Sequence, residues 1–316
     1  METRSWIVPD GWAAVRLDAF ARKCLPHLSR RQMESAIREK LFRIHQRIGK
    51  KGDKLSAGDV LTFSGPEHWL LTAPPPQSEL LVPIVYEDAS VLVVDKPAGM
   101  AAHAFSGRDS RTLANVLAAQ RPDVLKIGKS RWEPGLVHRL DRDTSGVVLI
   151  AKTQSAFEEL VRQFRHREIK KKYLALVWGS AQTEGSIVYP IGHDPRDARR
   201  MRALVDTVGS KVKQKSWQAL THFRKLRETG GVSLLEINME TGVTHQIRIH
   251  LAAIGHPIVG DLLYGGERLK SFGLKRQFLH ATRLEFFHPE NRCPIKADSP
   301  LPVDLADVLT SLHMTR

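Results

Sequence analysis

The stretch HRLDRDTSGVVLIAKT, from His138 to Thr153, constrains this chain more than any other. Its second half, Val147-Val148-Leu149-Ile150, is a β-branched apolar run of the kind that forms a fully buried strand. Its first half places Asp141 between Arg139 and Arg142 and ends in the polar turn Asp143-Thr144-Ser145-Gly146. A carboxylate flanked by cations therefore sits in a loop that leads straight into a core strand, where a rigid scaffold can aim it. Taken alone, an Asp in such a turn more often serves only to accept local backbone hydrogen bonds. The rest of the chain decides between the two.

Before that stretch, residues Arg16 to about Ser64 form a first unit. Leu17, Phe20, Ala21, Cys24 and Leu25 recur on one helical face, and Pro26 interrupts the pattern. Ser29 then suits the N-cap of a second helix with Met33, Ala36, Ile37 and Leu41 inward. Arg30, Arg31 and Arg38 lie largely off that stripe, and Lys50 and Lys51 follow a short β-like segment. Pro74-Pro75-Pro76 is stiff and extended, which predicts a linker over 66–83. The expected layout is a module at 1–65, that linker, and a larger domain at 84–316.

The larger domain alternates strands with a few helices. Val91–Val94, Tyr173–Trp178, Trp217–Lys225, Val232–Met239 and Leu279–Phe286 read as strands. Helices are expected near 112–117, from about Ser155, and around Gln246–His250. Without a regular βαβ repeat, this predicts an α+β domain with a mixed, mostly antiparallel sheet. A cationic run from Arg196 to Lys215, including Arg199, Arg200 and Arg202, reads as a mobile hairpin able to follow a phosphate backbone. The net charge of +14 and pI near 10.0 also favour a polyanionic partner, with nucleic acid first. A membrane partner is not expected.

Two remote cysteines, Cys24 and Cys293, suggest a reducing compartment, and the start METRSWIVPDGW carries no apolar signal-like run. A cytoplasmic protein, taken to act as a monomer, is the expectation. His245 and His250 are five apart rather than at the i, i+4 spacing of a helical zinc pair, so no metal site is expected. In this segment Gly242 and Thr244 suit a turn and an N-cap, with Ile247, Leu251 and Ile254 on the buried face of a helix.

Three pieces stand out together: HRLDRDTSG, KKYLALVWG (171–179) and TGVTHQIRIHLAAIGHPIVGDLLYG (241–265). With VVDKPAGMAAH (93–103) and QFLHATRLEFFHP (277–289), they closely resemble the RluA-type pseudouridine synthases from about Ile84 to Pro289. The first unit resembles the small RNA-binding module of the ribosomal S-four type through RLDAF, LSRRQMESAIREK and KLSAGDVL. It departs from that pattern at Ile44-His45-Gln46-Arg47, where a V-N-G turn is usual. Val243 stands where the synthases usually carry Arg, removing a cation near the expected site.

The resemblance implies an enzyme that turns uridine into pseudouridine in RNA, with no cofactor or metal. It implies Asp141 as the catalytic carboxylate, acting as nucleophile or as base, with Arg248 as its paired cation. Tyr173 is implied as the aromatic platform for the uracil, and Arg139 as the side chain that fills the space a flipped nucleotide leaves. His138, Leu140 and Ile247 are expected to line the substrate pocket. Arg30, Arg31, Arg38, Lys50, Lys51, Arg199, Arg200 and Arg202 are expected to hold RNA. Ribosomal RNA of the large subunit is the favoured substrate, with transfer RNA the alternative. A non-catalytic RNA-binding assembly factor fits a basic surface less well, because all three implied site residues are present. A two-carboxylate glycosidase lacks an identifiable second acid.

Overall fold

Buried apolar side chains gather in two large clusters, one drawn from the residues before Pro75 and one from those after it. The coordinates are a computed structural model, which describes residues 1–104, 109–205, 215–266 and 271–314. Two units result: Met1–Pro75 with Ala104–Ser110, and Pro76–His103 with Arg111–Arg316. The boundary lies within the stretch expected to be a linker. Trp69 and Leu70 of that stretch pack into the first core, and Val82 into the second.

In the first unit, strands β1 (Glu2–Ile7), β2 (Phe42–Ile44), β3 (Arg47–Ile48) and β4 (Val60–Gly65) form an antiparallel sheet in the order β1-β4-β2-β3. Helices α1 (Leu17–Cys24) and α2 (Arg30–Arg38) bury Leu17, Phe20, Ala21, Met33, Ala36 and Ile37 in the same cluster as Phe42, Leu61 and Phe63. Ser29 caps α2 as its sequence suggests: its hydroxyl accepts from the Gln32 amide and the Gln32 side chain accepts from Ser29 N. The edge strand β1 was not legible. Its side chains are mostly exposed, and it is placed by backbone pairing from Glu2↔Gly65 to Ile7↔Val60.

The second unit is α+β. In chain order it contains β5 (Ile84–Glu87), β6 (Val91–Lys96), α3 (Leu113–Gln120), β7 (Ser145–Ala151), α4 (Gln154–Arg165), β8 (Lys170–Trp178) and β9 (Glu184–Ile187). It continues with β10 (Ile191–His193), β11 (Met201–Ala203), β12 (Ser216–Trp217), β13 (Thr221–Thr229), β14 (Val232–Met239), α5 (Gln246–Ala253), β15 (Leu279–Phe287), β16 (Pro294–Asp298) and α6 (Val303–Ser311). Among the described residues the main sheet runs β5-β6-β7-β15-β8-β14-β13-β9, with β16 also on β15. Only the β7–β15 pairing is parallel there, so the sheet is mixed and mostly antiparallel, as expected. Strand β15 pairs with β7 through His280 and Ala281, then with β16 from Arg283 onward.

Strand β7 is buried at all seven positions, in keeping with its unbroken apolar run. Gly146, at its start, has φ +119°, and a Cβ there would lie 2.2 Å from the Ala281 carbonyl oxygen. Only glycine permits this approach of β7 to β15 at the point where the Asp141 loop enters. The expected cationic hairpin takes partial form as a small sheet, β11-β10-β12. Asp206, Lys211 and Lys213 lie outside the described residues.

Candidate active site

The Asp141 loop is held by its own backbone carbonyls. Thr144 N donates to Asp141 O at 3.1 Å, Lys96 Nζ to Arg142 O at 3.2 Å, and Arg276 Nη1 to Asp143 O at 3.3 Å. Lys96 also donates to Pro97 O and Met100 O, so a fully buried ammonium spends its three donors on three carbonyls. Burial pulls its pKa down to about 7, against the charges of Asp141 and Asp143. Arg276 is fixed in turn by a bidentate pair with Asp304 at the start of α6.

The arginines beside Asp141 in sequence turn elsewhere. Arg139 Nη2 donates to Thr244 Oγ1 at 3.0 Å, and Arg142 is exposed and aimed at the Gly99 carbonyl. The cation on Asp141 is the distant Arg248, whose Nη1 donates to Oδ2 at 3.0 Å. Asp141 keeps 25% of its side chain exposed, whereas Arg248 keeps 9%. A second carboxylate orients that guanidinium. Asp261, wholly buried, accepts from Arg248 Nε at 2.7 Å and Nη2 at 2.9 Å. It also accepts from the backbone amides of Leu263 and Tyr264.

This arrangement favours the charged forms of Arg248 and Asp261. Burial opposes the charge on Asp261, but Arg248 and the two amides outweigh it and hold the carboxyl below its ordinary range. Burial likewise opposes charge on Arg248, and Asp261 and Asp141 together raise its pKa above the usual value. A two-toothed pair to Asp261 leaves one guanidinium edge free to meet Asp141, which fixes where that carboxylate stands.

Helix α5 supplies Arg248 and is buried from Gln246 to Leu251, on all faces rather than one. Its N-cap is His245, at φ +57°, and not Thr244 as the spacing suggests. The tie at this end comes from Gln246, whose Oε1 accepts from Val243 N and Thr241 Oγ1 while Nε2 donates to Leu220 O and Thr221 Oγ1. The His245 ring meets Tyr264 Oη at 2.8 Å, and His250 lies between Thr221 Oγ1 and Tyr189 O. The Tyr264 ring sits 5.1 Å from the Arg248 guanidinium carbon and 5.3 Å from that of Arg200. Val243 packs with Ile191, Met201, Ala219, Ile249 and Tyr264, so the departure from Arg fills an apolar corner.

A small pocket of about 70 Å³ joins these parts, lined by Asp141, Tyr173, Arg248, Leu140, Ile247 and Leu279 among others. Tyr173, on β8, is 5% exposed; burial and then the charge of Asp141 push its phenol above the ordinary pKa, so it is neutral. An open cleft of about 880 Å³ shares Arg139, Tyr173 and Val243 with this pocket and reaches His138, Lys171 and Trp217. His138 is fixed there, accepting the Leu149 amide on Nε2 at 2.9 Å. Asp141, Tyr173, Arg248, Arg139, His138, Leu140 and Ile247 thus all line one or other of two adjoining spaces. Arg30, Arg31, Arg38, Lys50 and Lys51 lie exposed on the first unit, with Arg30 and Lys51 both on Glu34. Arg199 pairs with Asp197, Arg202 is exposed on β11, and Arg200 turns to Tyr264.

The RNA pseudouridylate synthase family matches residues 90–253, more than half of the chain. The chain belongs to that family. An uncharacterised RNA pseudouridine synthase of Chloroflexus aurantiacus is 41% identical over 318 residues, covering 99% of this chain and 94% of that protein. The ribosomal large subunit pseudouridine synthase D of Xanthomonas campestris pv. campestris is 35% identical over 321 residues, covering 98% and 92%. Among solved structures, human RNA pseudouridylate synthase domain containing 1 superposes with a TM-score of 0.57 at 27% identity, over 76% of this chain and 98% of that one. The resemblance to RluA-type synthases therefore stands, and this RNA pseudouridine synthase is an isomerase. Sequence reasoning missed Asp261, Tyr264 and Gln246. The one available signal for Asp261 was a carboxylate placed directly after the apolar Pro257-Ile258-Val259-Gly260 run.

Proposed function

We propose that this pseudouridine synthase acts on large-subunit ribosomal RNA in the cytoplasm, with Asp141 as its catalytic carboxylate. The observation that carries the mechanism is the Asp141 carboxylate itself: partly exposed into a pocket, and held at 3.0 Å by an arginine locked from behind by Asp261. A carboxylate so fixed cannot swing away from a substrate sugar.

In the reaction the C1′–N1 bond of uridine breaks and a C1′–C5 bond forms. The proton on C5 leaves and N1 gains one, so atoms and charge balance without a co-reactant. Asp141 attacks the sugar or removes a proton from it as the C1′–N1 bond breaks. The neutral Tyr173 provides an apolar face for the uracil, with Leu140, Ile247 and Leu279 closing the pocket around it. The target base must leave its stack to reach this depth, and Arg139, tethered among the described residues through Thr244 alone, is free to take its place. The ribosomal assignment is supported by the name of the Xanthomonas relative. The basic first unit, with Arg30, Arg31, Arg38, Lys50 and Lys51 outward, suits an RNA-holding role.

The test is pseudouridine formation in RNA from cells lacking the gene, with positions mapped on ribosomal and transfer RNA. Asp141→Asn is expected to lower the rate at least about 10³-fold while RNA binding persists. A wild-type rate in that variant would sink the mechanism, and new pseudouridines confined to transfer RNA would sink the ribosomal assignment.

A further inference from the structure

Lysine 171 is the buried cation that the chemistry at Asp141 leaves unused. It is 7% exposed, and among the described residues it has no carboxylate within ion-pair distance. Its one hydrogen bond donates to the Thr241 carbonyl at 3.1 Å, and the Phe164 ring lies 5.7 Å away. An ammonium has three donors, so most of its capacity is unspent. Neighbouring lysines do not share this state: Lys172 pairs with Glu236, and Lys96 satisfies three carbonyls. Burying a lysine without an acid is unfavourable, and a ligand anion supplies what the fold does not.

The position says which anion. Lys171 and Tyr173 lie two residues apart on β8, so both point to the same sheet face, about 7 Å apart along the strand. Tyr173 lines the small pocket and the wide cleft, whereas Lys171 lines only the cleft. A base seated against Tyr173 therefore leaves its own sugar-phosphate backbone at the cleft, beside Lys171. The other cations there point the same way. Arg139 faces the cleft, and Arg165, the exposed last residue of α4, has no partner among the described residues. The two acids in the cleft are already engaged, Glu133 with His103 and Glu240 with Arg167 and His222. Phosphate on a lysine, with an arginine at the rim, is a charge-assisted contact of the usual kind.

We propose that Lys171 binds a phosphodiester of the RNA strand immediately next to the flipped uridine. It is a binding residue, distinct from the groups that touch the reacting atoms. The inference rests on the base entering the pocket at Asp141. It can fail while that reading holds, because it is read from the salt dependence of binding rather than from loss of chemistry.

The experiment is single-turnover pseudouridine formation in total RNA from cells lacking the gene, with enzyme in excess at a series of potassium chloride concentrations. This substrate pool contains the target whichever RNA carries it. Lys171→Met should raise the half-saturating enzyme concentration about tenfold at low salt. It should also make the slope of its logarithm against log salt shallower by about 0.7–0.9, the value for one lost phosphate contact. The limiting rate should fall less than the half-saturating concentration rises. Lys171→Gln keeps a donor for the Thr241 carbonyl and should show the same slope change, whereas Lys171→Arg should keep the wild-type slope. Wild-type slopes in folded Met and Gln variants would overturn the proposal and leave Lys171 as a tie to the 241 turn alone.

Discussion

At the scale of single residues, the candidate site depends on a group that is wholly buried. Asp261 meets Arg248 through two hydrogen bonds and is the reason its guanidinium has only one edge left for Asp141. Replacing Asp261 by Asn leaves a buried guanidinium short of one counter-charge. We expect a loss of about 3 kcal/mol in stability, and at least a tenfold loss in the single-turnover rate as Asp141 loses its fixed partner. Urea unfolding and rates under saturating enzyme check the two parts; a rate equal to wild type would show that Arg248 orients Asp141 unaided. Asp141, Tyr173 and Arg248 were singled out because their surrounding motifs are distinctive, and the fold brings all three to one pocket. Asp261 was not, because its meaning lies in a contact thirteen residues away that neither periodicity nor spacing announces. The arginines flanking Asp141 in sequence bond elsewhere, Arg139 to Thr244 and Arg142 toward the Gly99 carbonyl, and the pairing falls to Arg248.

Among the elements, β7 was the easiest to read, whereas α5 was expected as a helix but with only one face buried. An unbroken apolar run bounded by a turn admits little besides a buried strand, and β7 is buried throughout. Helix α5 shows a weak apolar stripe because it is covered on every side, with Gln246, Arg248 and His250 inside as well as Ile247 and Leu251. A pattern built on one wet face cannot describe such a helix. The Gly in the DTSG turn was read only as a turn residue, but its role is contact between strands. Gly146→Ala would put a Cβ against the Ala281 carbonyl at a φ that a side chain disfavours. We expect about 2–4 kcal/mol of destabilisation and a slowed reaction, since the Asp141 loop must shift with β7. A thermal melt within 1–2 °C of wild type, where about 1 kcal/mol moves a domain of this size by roughly 2–4 °C, would contradict this close approach.

At the scale of the whole molecule, buried histidines set the response to acid. His138, His250 and His280 all have pKa values lowered from 6.5, chiefly by burial, with His138 down to about 3. Protonating His138 on Nε2 would also break its bond from the Leu149 amide of β7. In the unfolded chain these rings take protons near pH 6.5, whereas the folded protein resists them. Their contribution to stability is therefore complete above pH 6.5 and is lost as pH falls below it, by up to about 1.4 kcal/mol per histidine and pH unit. Urea midpoints should decline from pH 7 through 6 to 5. His280→Asn should flatten part of that decline, and an unchanged slope would exclude His280 as a contributor. The cluster of one arginine between two carboxylates carries a further consequence. In a chain with net charge +14, the Asp141–Arg248–Asp261 group sets two carboxylates against one guanidinium at the bottom of the pocket. Such a spot repels phosphate and tolerates a neutral ring. On the reading proposed for Asp141, the pocket would act as an electrostatic sorting filter, one that takes the base of a nucleotide and turns its backbone aside.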